Sequence, residues 1–443
     1  MPPGPGATPA PRRRRVVPLL LGLAVVLVLA LSLPLSLARS APVTVRVLMP
    51  AVFADSTTEA VRQFNRGQRR ILVEVSRGPL DTEAISDLAI GSLLLGDSPY
   101  DLLLVDVTWT AKYAAAGWLQ PLEEWLGDDA MEGMLPGAAL GNRFDGHLWR
   151  MPFHGDTGLL YWRTDLMEAP PRTPAELVRI ATDLQRRGRV RWGYVWQGRQ
   201  YEGLSCVMLE VLHAFGGRWW DPLAAGTTSR AGGETRLDEP AAVEAARWLD
   251  DLVLEGVSPA AVANFAENEA LQVFAAGDAA FLRNWPYAWR EIERGGGPVA
   301  GKVGVTTMVS ADGRPGGGTL GTWGLSLIEG SEHPREAAEV IRWLTGPEVQ
   351  RQLVLEHGYA PTWRSLYADP ELMREHPLLE VQRRALEAGP LVRPLTPLYA
   401  QLSDVLQRRL SAMLTTGADP ATSMLGAQRG SDLILRAAAG GER

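Results

Sequence analysis

The sequence predicts an α/β protein with more than one core, on three observations. From Val43 to Val107 strand-like and helix-like segments alternate as β-α-β-α-β, the pattern of an α/β sheet. YDLLLVDV (Tyr100–Val107) is a continuous apolar run, as in a parallel strand buried on both faces. The chain has 443 residues, 46% hydrophobic and 21% charged, which is globular and too long for one ordinary core, so two or three domains are expected.

Residues 1–11 are a Pro- and Gly-rich leader. Arg12–Arg15 then precede the uncharged VVPLLLGLAVVLVLALSLPLSL (Val16–Leu37), the layout of a secretory signal or a membrane anchor. Ala38-Arg39-Ser40 before Ala41 suits cleavage, yet the apolar run approaches the roughly 20 residues that span a bilayer, so both readings of residues 1–40 stand. Either way, arginine on the N-terminal flank holds that end inside and exports residues 41–443, to the periplasm or the cell surface. Without residues 1–40 the chain loses five arginines and no acid, and its formal charge moves from −7 to −12.

VTVRVLM (Val43–Met49) alternates as a strand does, and Glu59–Arg66 carries Ala60, Val61 and Phe64 at helical spacing. ILVEVSR (Ile71–Arg77) reads as a strand and Glu83–Leu95 as a helix. Thr173-Pro174-Ala175-Glu176 is a capping box with proline at the first helical position, and Gly188 ends that helix. Asp238 and Pro240 open another helix, closed at Gly256. Pro334–Leu344 is amphipathic, and Thr345-Gly346-Pro347-Glu348 restarts a helix that stops at Gly358. Gly301–Val309 and Thr322–Ile328 read as strands, joined by the glycine-rich loop Asp312–Gly321.

Composition and motifs exclude several function classes. The chain is acidic and has no basic block beyond residues 12–15, which argues against nucleic acid as a partner. The single cysteine, Cys206, forms no disulfide within the chain and sits in the apolar run LSCVMLEVLHAF, where it reads as a small buried residue. No cysteine follows the apolar N-terminal run to take a lipid. GGPVAGKV (Gly296–Val303) resembles a phosphate loop but has Val303 where Mg²⁺ binding needs Ser or Thr. The six histidines show no zinc spacing, and no GxSxG nucleophile elbow is present, so no metal or cofactor is expected.

Two features remain. Asp106 ends the YDLLLVDV run, and acids at the carboxyl ends of strands line the crevice of open α/β sheets. It could equally cap the helix that follows. Asp156, in MPFHGDTGLLYWR, precedes an apolar strand and could be a ligand contact or a turn residue. The second feature is 15 tryptophans against eight phenylalanines. Stacked tryptophans beside carboxylates and arginine suit sugars, whose rings have apolar faces and hydroxyl rims.

PFHGDTGLLYWRTDLM (152–167), WQGRQYEGLSCVMLEVL (196–212), FLRNWPYAW (281–289), KVGVTTM with GTLGTWGLSL (302–327) and VRPLTPLYAQLS (392–403) resemble, in order, the extracellular solute-binding proteins of family 1. The likeness is to the trehalose/maltose-binding branch of the carbohydrate ABC importers and runs from about Val43 to the C-terminus. It implies a two-lobed α/β periplasmic-binding-protein fold of type II, with ligand held in an interlobe cleft that closes about a hinge. The expected lobes are 43–152 plus 324–384, and 153–323 plus 385–443. The resemblance implies sugar contacts by Asp106, Asp156 and Arg393, and stacking by Trp285 and Trp323. Asp55, in the first strand–helix loop, is a further candidate. His154 stands where the family often has tyrosine, and Gly321 and Thr322 stand where it often has two glycines, so these three are candidates as well.

The function implied is an exported, monomeric sugar-binding subunit that performs no chemistry and delivers a small α-linked glucoside to a permease driven by a separate ATPase. Membrane contact would come through the N-terminus if it is uncleaved. A sugar sensor is the alternative, and a glycoside-acting enzyme using two of Asp55, Asp106 and Asp156 a more remote one. In FLRNWPYAW, Trp285 is expected on the sugar, Tyr287 and Trp289 beneath it, and Arg283 and Asn284 at the polar edge of the cleft.

Overall fold

In VTVRVLMP (Val43–Pro50) alternate side chains part to opposite faces of a strand, and both faces are covered. Val45, Val47 and Met49 pack with Leu102, Leu104 and the helices Pro334–Leu344 and Pro347–His357, while Leu48 packs with Leu103, Val105 and the helix Thr82–Leu94. The structure is a computed structural model that describes residues 1, 2, 4, 6, 41–94, 96, 98–222 and 232–440. The signal or anchor reading of residues 16–37 lies outside them, and so does Leu95. No helix among the described residues is long and apolar enough to cross a membrane.

Val43–Pro50 belongs to a five-stranded sheet ordered Ile71–Gly78, Val43–Pro50, Leu102–Asp106, Trp323–Leu327, Met151–Pro152. Leu102–Asp106 runs parallel to Val43–Pro50, whereas Trp323–Leu327 enters antiparallel from far along the chain. A second sheet is ordered Val303–Thr306, Leu159–Arg163, Ala279–Asn284, Trp192–Val195. Its Leu160, Tyr194 and Phe281 face the helices Pro174–Arg186, Glu202–Ala214, Pro240–Leu254 and Tyr399–Thr416, and its Leu159, Tyr161 and Leu282 face Phe274 and Ile292. Both sheets are mixed, not purely parallel. Residues 153–158 and 307–322 carry the chain from one sheet to the other, and Thr157 bridges Leu320 there.

Several boundaries follow the expected local chemistry. The Thr173 hydroxyl accepts from the Glu176 amide at 3.1 Å, and the chain leaves the Pro174–Arg186 helix through Gly188 at φ +63°. The Glu176 carboxylate accepts from Arg172 N–H, one residue earlier than a reciprocal capping box requires. Gly358 closes Pro347–His357 in the left-handed region, as glycine permits without Cβ strain. Cys206 is buried, and burial pushes its thiol up to about 12, so it is protonated at neutral pH.

Three expectations are corrected. Residues Ala51–Ser56 form a helix, so Asp55 stands on a helix and not in a loop. Arg283 and Asn284 are fully buried and are not at a polar edge. Arg283 is tolerated inside because Glu210 receives its Nε at 2.9 Å and its Nη2 at 2.5 Å, and Asn284 donates to the Glu267 carbonyl and accepts from Trp285 N–H. Tyr287 lines a cavity beside Trp285, and so does not only support it.

Candidate functional site

The carboxyl end of Leu102–Asp106, the start of Trp323–Leu327 and the end of Ala279–Asn284 converge on a cavity of about 520 Å³ between the two sheets. That volume is in the usual range for small-molecule sites, roughly 300–1,000 Å³. The structure brings Asp55, Asp106, His154, Asp156, Trp285, Gly321, Trp323 and Arg393 together on its wall.

Asp106 has two jobs. One oxygen accepts from the amide and hydroxyl of Thr108, capping the turn Val107–Trp109, so the capping alternative holds. The carboxylate also lies 3.5 Å from Arg393 Nη2 and lines the cavity. Arg393 is buried and bound on its other side by Glu202 at 2.6 Å, while its Nη2 donates to the Leu320 carbonyl. Burial works against its charge, but its neighbours Cys206, Asp106 and Glu202 together outweigh that and raise its pKa. Its Nε has no protein partner.

Asp156 accepts from the Ala360 amide at 2.8 Å, which ties the crossing segment to the end of the Pro347–His357 helix. His154 is buried between Phe53 and Tyr359, stacked on both at 5.2 and 5.4 Å between centroids. Both of its ring nitrogens lack a protein hydrogen-bond partner, and Asp156 is 3.6 Å from Nδ1. Stacking fixes the ring plane of a side chain that lines the cavity.

Two of the tryptophans line the cavity. Trp285 Nε1 donates to Glu267 at 3.1 Å, and the Arg283 guanidinium lies 4.0 Å from the ring centroid. Gly321 touches the same ring: a Cβ there would sit 2.7 Å from it, so only glycine fits. Trp323 is braced edge-on by Trp109 at 5.2 Å and by the tilted ring of Phe53 at 5.3 Å.

Two candidates stand differently from the expectation. Thr322 is fully buried outside the cavity wall, with its hydroxyl and carbonyl each bound by Arg150 at 2.7 Å. Alternation along the chain turns it inward between Gly321 and Trp323, so it buttresses the site from behind. Asp55 is on the wall, but Arg77 Nε and Nη2 hold its carboxylate at 2.9 and 3.0 Å and keep its pKa below the usual range. Sequence reasoning missed Phe53, Glu202, Glu267, Tyr287 and Tyr359 on the same wall. Among the described residues no cluster of His, Cys, Asp and Glu could hold a metal ion.

The sequence profile of the bacterial extracellular solute-binding protein family matches residues 82–351. The chain belongs to this family. This solute-binding protein is 32% identical to a probable ABC transporter-binding protein of Deinococcus radiodurans, over 80% of this chain and 84% of that one. It is 26% identical to the maltotriose-binding protein of Pyrococcus abyssi, over 63% of this chain and 58% of that one. Among solved structures it is similar to the maltose-bound MalE3 of T. maritima, at 30% identity and a TM-score of 0.80, covering 88% of this chain and all of that one. The fold is therefore the two-lobed α/β fold of such proteins, and the chain is a binding protein and not an enzyme.

Proposed function

We propose that this solute-binding protein is the exported sugar-binding subunit of an ABC importer. It captures an α-linked disaccharide or small glucoside of the trehalose, maltose, sucrose or glucosylglycerol type and hands it to a permease driven by a separate ATPase. The observation that carries this reading is the pairing of two indole rings, Trp285 and Trp323, with Asp106, Asp156, Glu202 and Arg393 around one cavity. Flat rings meet the C–H faces of pyranoses, and charged groups meet pairs of hydroxyls. The names of the relatives point the same way: one is a maltotriose-binding protein and one was solved with maltose.

In this reading Asp106, Asp156, Arg393 and the bare edge of His154 take hydroxyls, Trp285 and Trp323 stack, and Gly321 gives Trp285 its room. Lobe 1 comprises residues 43–152 plus 324–384 and lobe 2 residues 153–323 plus 385–443. The lobes close about the crossing segments, and the liganded form is favoured by its differential affinity. The protein acts as a monomer, tethered beside its permease if residues 16–37 are retained.

The test is a thermal-shift panel of mono- and disaccharides followed by titration calorimetry. A ligand at about 100 times its Kd stabilises by about 2.7 kcal/mol. Trp285→Ala should weaken the best ligand by about 2 kcal/mol or more, some thirtyfold, on the scale of an aromatic hot spot. A panel in which no glucoside raises the melting temperature would sink the reading.

A further inference from the structure

The Glu210–Arg283 ion pair is fully buried beneath the ligand cavity. Stability alone does not account for it. The desolvation of two buried charges can exceed their attraction, and apolar residues of similar volume often replace such a pair without loss. What the pair does have is unusual connectivity. Glu210 Oε1 receives both Arg283 Nη2 and the Thr319 amide at 2.9 Å, and its Oε2 receives Arg283 Nε. Arg283 is two residues before Trp285 and lays its guanidinium on that ring at 4.0 Å. Thr319 is two residues before Gly321, which touches the same ring, and four before Trp323. Gln197 completes the fork by accepting from Arg283 Nη1 and donating to the Arg283 carbonyl. Gly158 leaves the space for it: a Cβ there would stand 1.9 Å from Glu210 Oε1 and 2.6 Å from Arg283 Nη2.

We propose that Glu210 and Arg283 are positioning residues for the ligand site. One carboxylate holds the segment that carries Trp285 and the loop that leads to Trp323, and the guanidinium sets the plane of the Trp285 ring. The pair thus fixes the separation and tilt of the two aromatic platforms. The planar fork is essential to this: lysine keeps the charge but loses the stacking face and the two parallel bonds to Glu210. The inference rests on the reading that Trp285 faces the ligand.

Two variants test it on the full-length protein. E210M/R283M replaces the pair by apolar side chains and should fold with an unchanged or higher melting temperature. R283K keeps the ion pair. In both, the near-UV circular dichroism band that Trp285→Phe removes should be lost without sugar, and the Kd for maltose or trehalose should rise at least tenfold. If either variant folds and keeps that band, or binds within twofold of the unmutated protein, the proposal is overturned. If the unmutated protein binds neither sugar, the sugar reading fails, while the Trp285 band still decides whether the pair orients the ring. If E210M/R283M does not fold, the pair is structural and the positioning role is overturned unless R283K loses both band and affinity.

Discussion

Trp323 and Asp106 are Cα partners across two antiparallel strands. One ends and the other begins at the same end of two interior strands of the five-stranded sheet, so a ring from one and a carboxylate from the other meet at one mouth. The Asp106 carboxylate faces Arg393 at 3.5 Å, and Phe53 and Trp109 brace the indole. The pairing ties residues separated by more than half the described chain into one contact surface, which neither strand could form alone.

Asp106→Asn should separate binding from folding at this mouth. Asparagine keeps the acceptor that caps Val107–Trp109 through Thr108 and removes only the charge facing Arg393. A charge-assisted hydrogen bond is worth about 1.5–3 kcal/mol, so the maltose Kd should rise about tenfold or more while the melting temperature moves by a few degrees. Calorimetry showing an unchanged Kd would remove Asp106 from the ligand contacts.

The cavity should discriminate by charge. Six carboxylates line it (Asp55, Asp106, Asp156, Glu202, Glu267 and Glu291) against one arginine, and Arg393 is already engaged by Asp106 and Glu202. A phosphate group brought here would meet uncompensated like charge at low dielectric. Glucose 6-phosphate and a glucuronide should therefore give no thermal shift at concentrations where the neutral disaccharide does. A clear shift with either would contradict this account of the lining.

The sequence makes the framework legible wherever local chemistry decides it. YDLLLVDV reads as a buried strand because every residue of Leu102–Asp106 is covered, and Thr173 and Gly358 mark helix ends through one hydroxyl and one left-handed turn. Asp106 and Trp323 are legible as strand-edge residues, but their pairing depends on a long-range crossover that periodicity does not encode. Glu202 and Glu267 read as ordinary first-turn acids, since the partners that make them part of the site, Arg393 and Trp285, are remote in sequence. Thr322 is not legible as a residue behind the wall, because the direction of one side chain depends on register, and Arg150 claims it from behind. Glu210 did carry a signal: a lone carboxylate inside LSCVMLEVLHAF must find a buried cation, and Arg283 in FLRNWPYAW is its counterpart.

His376 should make the protein acid-sensitive between pH 6.5 and about 4. Burial lowers its pKa from 6.5 to about 4, with Arg290 and Arg294 adding repulsion, and its ring meets Trp289 edge-on. The unfolded chain takes up this proton near 6.5 and the folded one only near 4. Stability is therefore full above 6.5 and is lost as pH falls toward 4, by on the order of 2 kcal/mol after screening. His376→Phe removes the titration and keeps an aromatic ring against Trp289. Denaturant melts at pH 7 and pH 4.5 should show a smaller loss in the variant than in the parent, and equal losses would reject His376 as a contributor.

Ligand affinity should itself depend on pH through Glu83. The helix Glu202–Ala214 has no side-chain cap of its own, and Glu83, on the helix Thr82–Leu94 that packs against the other sheet, accepts from Glu202 N–H at 3.4 Å. Beside it Asp81 lies 3.8 Å from Arg199, so acids at the start of Thr82–Leu94 meet the start of Glu202–Ala214. Burial raises the Glu83 pKa above its ordinary 4.5, with the charges of Asp81 and Glu202 adding to the effect and backbone hydrogen bonds opposing it. We expect a cleft opened between the two sheets to return Glu83 toward water and toward its ordinary value. On that expectation the form with Glu83 covered holds the proton more tightly, so closure should be favoured below 4.5, with an advantage that fades as pH rises through 4.5 to the raised value and then levels off. Since ligand binding draws on closure, maltose affinity should fall across that window. Glu83→Gln keeps the acceptor for Glu202 N–H and cannot ionise, so it should bind more tightly than the parent at neutral pH and show a flatter profile. Parallel slopes for parent and variant in calorimetry from pH 4 to pH 7 would rule out Glu83 as the source.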